Sequence, residues 1–253
     1  MKVGFLGLGK LGLPVALAVD HNGHTVKGYD IDEKVKTYLN DIFIPIQTPH
    51  DSLYEGITRI PQTRKDFDYG WLKSGISQLA ECINQQDEDK VVIIISTVLP
   101  GTIEREIKPL LNEKMKLCYN PFFIAMGTTI ADFTNPEFVL FGVDDDWAAK
   151  TAETFYKTIH TRPFFKTDIK SAELIKVAYN TYIGMKVVFA NTMMEICHHT
   201  GANVDDVTDA MGLAHERLMS KRYLYGGMGD GGGCHPRDNI AMSWLSNELG
   251  LSH

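Results

Sequence analysis

Positive charge is scarce in this chain: 25 Lys and Arg stand against 32 Asp and Glu, for a net charge of −7. That balance leaves no basic footprint for nucleic acid or an anionic membrane surface. A phosphate-bearing ligand would have to be held locally, by backbone amides and a few Lys or Arg. Long apolar runs are missing too, and none reaches the roughly 20 residues needed to cross a bilayer. Near the start, Lys2, an apolar run and Ala16-Leu17-Ala18 imitate a secretory leader, but Gly4, Gly7, Gly9, Gly12 and Pro14 interrupt it. Cysteine is sparse and dispersed, at positions 82, 118, 197 and 234. Reduced thiols and a cytoplasmic location are therefore expected. Cys197-His198-His199 is discounted as a metal site, because adjacent helical residues point about 100° apart, and no metal is expected.

What is present is an ordinary globular composition, 44% hydrophobic and 23% charged over 253 residues, enough for one large or two small domains. Val3 to Leu6 reads as a short buried strand. It runs directly into Gly7-Leu8-Gly9-Lys10-Leu11-Gly12, a helical stretch to about Asn22, and a second strand from His24 that ends at Asp30. This is the dinucleotide-binding fingerprint in its required setting. Gly7 permits the tight turn, Gly9 lets a pyrophosphate approach the backbone, and Gly12 lets the helix pack on the strand. Asp30 can accept hydrogen bonds from a ribose diol and would repel a 2′-phosphate, so NAD is favoured over NADP.

Further strands are expected over residues 41–47, 90–96, 115–119, 138–143 and 162–166, with helices over 72–84 and 146–159 and another after Thr102. Alternating strands and helices predict an α/β fold with a doubly wound, mostly parallel Rossmann-type sheet, followed by a long helix and a small helical domain. Ligands bind such sheets at the carboxyl ends of the strands, where Gly7, Asp30, Thr48 and Thr97 fall. The natural division is a nucleotide-binding domain over 1–168 and a helical domain over 169–253. From Ile169 to Thr200 only Gly184 interrupts the helical pattern, and Gly201 is well placed to end it. The apolar residues Ile175, Val177, Tyr182, Ile183, Val187, Val188, Phe189 and Met193 lie nearly all round, as in a helix buried inside the domain, at a subunit interface, or both. Lys176 and Asn180 share one face of it; the spacing alone favours a snorkelling lysine and a surface amide.

A shorter helix, 204–211, leads to six glycines in the eight residues before Cys234. Such a loop can approach a ligand closely. Pro236 fits the first position of a following helix. Cys234 would then lie beside a helix N-terminus, which favours thiolate, and His235 and Arg237 add to that bias. The pattern also fits a small buried apolar cysteine beside a plain loop.

In conjunction these motifs resemble the UDP-glucose/GDP-mannose 6-dehydrogenase family, end to end and in the family's order. They comprise the fingerprint, Gly28-Tyr29-Asp30-Ile31-Asp32, Ser96-Thr97-Val98-Leu99-Pro100-Gly101-Thr102, Asn120-Pro121 and Asn135 to Gly142. They continue with Ala172-Glu173-Leu174-Ile175-Lys176-Val177-Ala178-Tyr179-Asn180, Gly201 to Val207, and Gly231-Gly232-Gly233-Cys234-His235-Pro236-Arg237-Asp238. The resemblance implies NAD-dependent oxidation of a nucleotide-sugar primary alcohol to the carboxylate through a thiohemiacetal on Cys234. It implies catalytic roles for Cys234, Lys176, Asn180, Asp238 and Thr97. The implied cofactor contacts are residues 7–12 (Gly7, Leu8, Gly9, Lys10, Leu11, Gly12), Asp30, Lys34, Thr48 and Thr97. For the substrate the implied contacts are Phe123, Lys176, Asn180, Arg217, Tyr225 and Gly229, and a homodimer is expected.

Two positions depart from the family pattern. Phe122 follows Asn120-Pro121 where the family has a glutamate, and Met126 replaces a second glutamate. The chain also ends soon after the cysteine helix, where the family continues into a nucleotide-binding domain. Two other readings fit these departures: a two-electron alcohol dehydrogenase resembling the β-hydroxyacid dehydrogenases, and a non-catalytic NAD-binding paralogue or subunit.

Overall fold

The computed structural model describes residues 1–33, 35, 66–125, 127–227, 229 and 234–251. They form two compact units, Met1–Ala178 and Tyr179–His253. The strand expected over 41–47 lies outside the described residues.

In the first unit, β1 (Lys2–Leu6), α1 (Gly12–His21) and β2 (Thr25–Tyr29) make the expected strand–helix–strand, with β1 and β2 parallel and Leu6 opposite Tyr29. After α2 (Gly70–Asn84), a second sheet has the order β3 (Lys90–Ile94), β4 (Met115–Tyr119), β5 (Val139–Val143), β6 (Phe164–Thr167). The β3–β4 and β5–β6 pairs are parallel, and β4–β5 is antiparallel. The helix expected after Thr102 is a π turn, Ile103–Ile107, running into a 3-10 turn, Lys108–Leu110. Helices α3 (Thr129–Thr134) and α4 (Asp146–Tyr156) flank β5, and α4 is capped by the Asp145 carboxylate, which accepts the Ala148 N–H at 2.7 Å.

Strand alternation explains why both faces of the second sheet are covered. On one face Val92, Ile94, Met115, Leu117, Tyr119 and Leu140 join Ile76, Ile103 and Ile107. On the other, Val91, Ile93, Cys118, Val139 and Phe141 join Val15 and Val19 of α1 and Phe155 of α4, together with Val3, Phe5 and Val26 of the first sheet. The two sheets thus share one core. Its density is felt at Cys118, whose thiol is pushed up to about 12 by burial.

The long helix α5 (Ile169–Thr200) ends where expected: Gly201 takes φ +79° and donates its N–H to the Cys197 carbonyl at 2.9 Å. Its first turn lies directly on β5. A Cβ at Gly142 would come within 2.6 Å of Ala172 Cβ and 2.9 Å of Ile169 Cα, so only glycine allows this approach. Beyond the boundary at Ala178, residues 181–190 of α5 are all exposed in the chain, Tyr182, Ile183, Val187, Val188 and Phe189 among them. Burial inside the domain is therefore not what these apolar residues serve. The second unit completes itself with α6 (Val204–Gly212), capped by Asn203, and α7 (Cys234–Leu249).

Candidate functional site

The first part of the site is the turn between β1 and α1. Gly7 takes φ +89° and donates its N–H to the Tyr29 carbonyl at 2.9 Å, tying the turn to the carboxyl end of β2. A Cβ on Gly12 would stand 2.0 Å from the Gly7 carbonyl oxygen, while one on Gly9 would meet nothing within 4 Å. The expected division of labour among the three glycines is therefore built in: turn, open approach and tight packing. Asp30 closes the group. Its Oδ2 accepts the Leu8 N–H at 2.6 Å and its Oδ1 accepts the Asp32 N–H at 2.8 Å. Leu8 lies over β2 so closely that a Cβ on Gly28 would be 2.6 Å from Leu8 Cδ1. The residues fit a dinucleotide: an open backbone approach at Gly7 and Gly9, and a fixed carboxylate at the end of β2. Lys10 and Leu11 complete the turn, and Lys34 and Thr48 lie outside the described residues.

The second part gathers at the carboxyl ends of β3 and β4, whose last residues, Ile94 and Tyr119, are paired. Residues 95–102 leave β3 as a loop carrying half-buried Thr97. That loop is held from two directions. Tyr69 Oη accepts the Leu99 N–H at 3.3 Å and the Thr102 hydroxyl at 3.2 Å, and donates to Asp66 at 2.6 Å. From α5, the fully buried Glu173 carboxylate accepts the Gly101 N–H and, at 2.7 Å, the Ile103 N–H.

From β4 the chain continues as Asn120-Pro121-Phe122-Phe123. Asn120 is structural: it donates to the Leu140 carbonyl at 2.9 Å and accepts the Tyr156 hydroxyl, joining β4, β5 and α4. The next two rings part company. Phe122 packs on Phe133 at 5.6 Å between centroids, in the α1 and α4 core. Phe123 packs on Phe138 at 4.9 Å, on the opposite face. Lys176, one turn beyond Glu173, lies over Phe123 with Nζ 5.1 Å from the ring centroid. It is only 7% exposed, and this burial lowers its pKa below the ordinary lysine value. The snorkelling alternative fails for Lys176.

In the second unit, Asn180 is exposed one turn after Lys176 on α5. Arg217, Tyr225 and Gly229, the last at φ +62°, are exposed in the segment between α6 and α7. Cys234 is exposed and is itself the first residue of α7, so Pro236 takes the third position rather than the first. Proline is tolerated there because N–H groups of the first turn have no intrahelical acceptor. Asp238 pairs with Arg237, whose Nε and Nη2 lie 2.8 and 2.7 Å from Oδ1. Tyr223, at φ +64°, sets its ring 5.8 Å from His235. Among the described residues no cluster of three or more His, Cys, Asp or Glu could hold a metal, and no helix is long and apolar enough to cross a membrane.

Residues unforeseen from the sequence are Glu173 and Tyr69. The signal for Glu173 was a carboxylate within the buried first turns of α5, beside Ala172; nothing comparable marks Tyr69.

The turn, the acid at the end of β2 and the loops at the strands' carboxyl ends define a dinucleotide-binding unit of the Rossmann class. Comparison with known proteins narrows the class. The NAD-binding domain of the UDP-glucose/GDP-mannose dehydrogenase family matches residues 40–160, and that family's central domain matches 170–253. The chain belongs to this family, and its dinucleotide is NAD. It is 28% identical to a UDP-glucose 6-dehydrogenase of Haloferax volcanii over 96% of its own length and 64% of that protein's. It is 24% identical to a GDP-mannose 6-dehydrogenase of Pseudomonas aeruginosa, covering 66% of it. The fold superposes on a crystal structure of GDP-mannose dehydrogenase from Pseudomonas aeruginosa with a TM-score of 0.88 at 25% identity, over 100% of this chain and 66% of that one. The chain thus spans a little under two thirds of these relatives.

Proposed function

We propose that this protein is an NAD-dependent nucleotide-sugar 6-dehydrogenase, taking a primary alcohol of the UDP-glucose or GDP-mannose type toward the uronic acid. The observation that carries this reading is Lys176: a lysine buried against Phe123, on the helix that also grips the loop bearing Thr97. NAD, when bound, would supply the oxidant for both steps, one equivalent accepting hydride from the alcohol carbon and a second accepting it from the thiohemiacetal carbon to leave the thioester. Burial favours the neutral amine of Lys176, which takes the hydroxyl proton at Nζ, and Lys176 with Asn180 then holds the developing oxyanion. The Cys234 thiol adds across the aldehyde carbonyl, forming a thiohemiacetal with a second C–H to oxidise. Water cleaves the resulting thioester, returning the thiol and releasing the acid, with Thr97 holding that water and Asp238 orienting it or Lys176. Arg217, Tyr225, Gly229 and Phe123 are proposed to contact the substrate, and Leu8, Lys10, Leu11, Lys34 and Thr48 the cofactor along with the glycines and Asp30.

The stoichiometry of NADH per sugar tests this, with purified protein, NAD and a panel of UDP- and GDP-sugars. Two per sugar in the wild type, with no acid formed by Cys234→Ser although NAD still binds, is the expected result. Acid formed by Cys234→Ser at the wild-type rate would sink the thiohemiacetal route. One structural observation favours a second reading: Phe122, at the family's glutamate position, is committed to the apolar core, so no side chain there can act as a base for hydrolysis. A two-electron dehydrogenase would give one NADH and an aldehyde.

The exposed apolar residues 182–189 of α5 support a homodimer, which light scattering on the full chain tests directly. Four free cysteines support a cytoplasmic location.

A further inference from the structure

A fully buried carboxylate whose hydrogen-bond donors among the described residues are backbone amides needs a reason. Glu173 is such a group: its hydrogen bonds come from the amides of Gly101 and Ile103, 72 and 70 residues away in sequence. Those amides belong to the turn that begins the π segment Ile103–Ile107, an N-terminus whose own N-cap residue, Thr102, makes no side-chain cap. A carboxylate is the natural acceptor for such orphan donors, and here it comes from a distant helix rather than from the turn itself. Gly101, at φ +86°, gives the turn a shape other residues rarely adopt, and Tyr69 holds its other side through Leu99 and Thr102. Lys176 follows Glu173 by three residues, so the two residues share one face of the helix. Gly142 presses the start of that helix onto β5.

We propose that Glu173 is the positioning residue of the site: by gripping Gly101 and Ile103 it fixes the Thr97 loop relative to Lys176. Fully buried, it acts through both elements rather than on the reacting groups. The proposal rests on Lys176 and the Thr97 loop serving the dehydrogenation proposed above.

Glu173→Gln keeps the shape but turns one acceptor into a donor facing an amide; Glu173→Asp keeps the charge and shortens the reach. Misplacement of reacting groups at this scale costs up to ~100-fold in rate. The expected result for Glu173→Gln is a fall of about 10- to 100-fold in kcat with KM for the sugar nucleotide within about threefold and NAD affinity retained. Glu173→Asp should recover part of the loss. A folded Glu173→Gln with wild-type kcat overturns the proposal, and so does a fall in kcat that Glu173→Asp does not relieve. Hydrogen exchange at the Gly101 and Ile103 amides reads the grip without any turnover. Should the wild type oxidise no member of the panel, the dehydrogenase reading fails, and exchange then decides this one. Exchange at those two amides at least about tenfold faster in Glu173→Gln, with the strands unchanged, supports it; unchanged exchange overturns it.

Discussion

Replacing the three fingerprint glycines one at a time by alanine separates three physical effects that a motif treats as one. Gly12→Ala puts a Cβ 2.0 Å from the Gly7 carbonyl oxygen and 3.0 Å from its carbon, where ordinary contact begins at 3.4 Å. The obstacle is backbone, so α1 must move off the turn. Overpacking of this kind costs about 1–3 kcal/mol, and the helix-propensity gain of roughly 0.5–1 kcal/mol offsets only part of it. Gly7→Ala meets no atom but must hold φ +89°, a strain of about 1–2 kcal/mol. Gly9→Ala has neither problem: its surroundings are open and its φ is ordinary, so folding should be unaffected. On the proposed cofactor site, a methyl at Gly9 instead occupies the space left open for the pyrophosphate. The assay is a pair of curves for each variant, urea unfolding and NAD titration by calorimetry. Gly12→Ala and Gly7→Ala should both lose stability. Gly9→Ala should keep its midpoint within error while NAD affinity falls at least about tenfold, or ~1.4 kcal/mol. Wild-type NAD affinity in Gly9→Ala, or an unfolding midpoint in Gly12→Ala equal to that of the wild type, would refute the reasoning.

Two further outcomes follow from titratable groups. Lys176→Met should retain NAD binding while losing about 10²- to 10⁴-fold in the oxidation rate. The same substitution should raise the melting temperature at neutral pH, because the folded state holds the lysine's proton less tightly than the unfolded chain does. That cost is greatest below the folded pKa, where both states carry the charge, and is relieved as pH rises toward the ordinary value of 10.5, so the gain should shrink in alkaline melts. A gain that grows with pH would contradict it. Asp30→Asn keeps an oxygen for the Leu8 N–H yet removes the charge, and should narrow the ratio of NADP to NAD dissociation constants without unfolding the turn; Asp30→Ala should narrow it and destabilise the turn together.

Much of this was legible because the signals are local. The fingerprint turn, the β-branched run of β3, and the stop at Gly201 each depend on residues a few positions apart. Antiparallel pairing of β4 with β5 was not legible, since the alternation of Val139, Leu140 and Phe141 between two cores is the same in either direction. Lys176 could be singled out only through the family resemblance, and its burial depends on Phe123, 53 positions earlier, and on the fit of Gly142 beneath α5. Glu173 is the extreme case, a helix residue that completes the turn of another segment. The tolerance of Pro236 in the third position of α7 shows how loosely sequence marks a helix start.

The bond from Leu8 to Asp30 has an evolutionary consequence. The carboxylate proposed to read the ribose also satisfies a backbone donor of the turn proposed to hold the pyrophosphate. Cofactor choice and local folding are therefore carried by one side chain and cannot drift independently. A lineage moving toward the phosphorylated cofactor has a narrow corridor: it must discard the charge at position 30 while keeping an oxygen there. Small or apolar replacements would leave the turn without an acceptor before any new specificity could be selected, so the preference for NAD is inherited along with the fold.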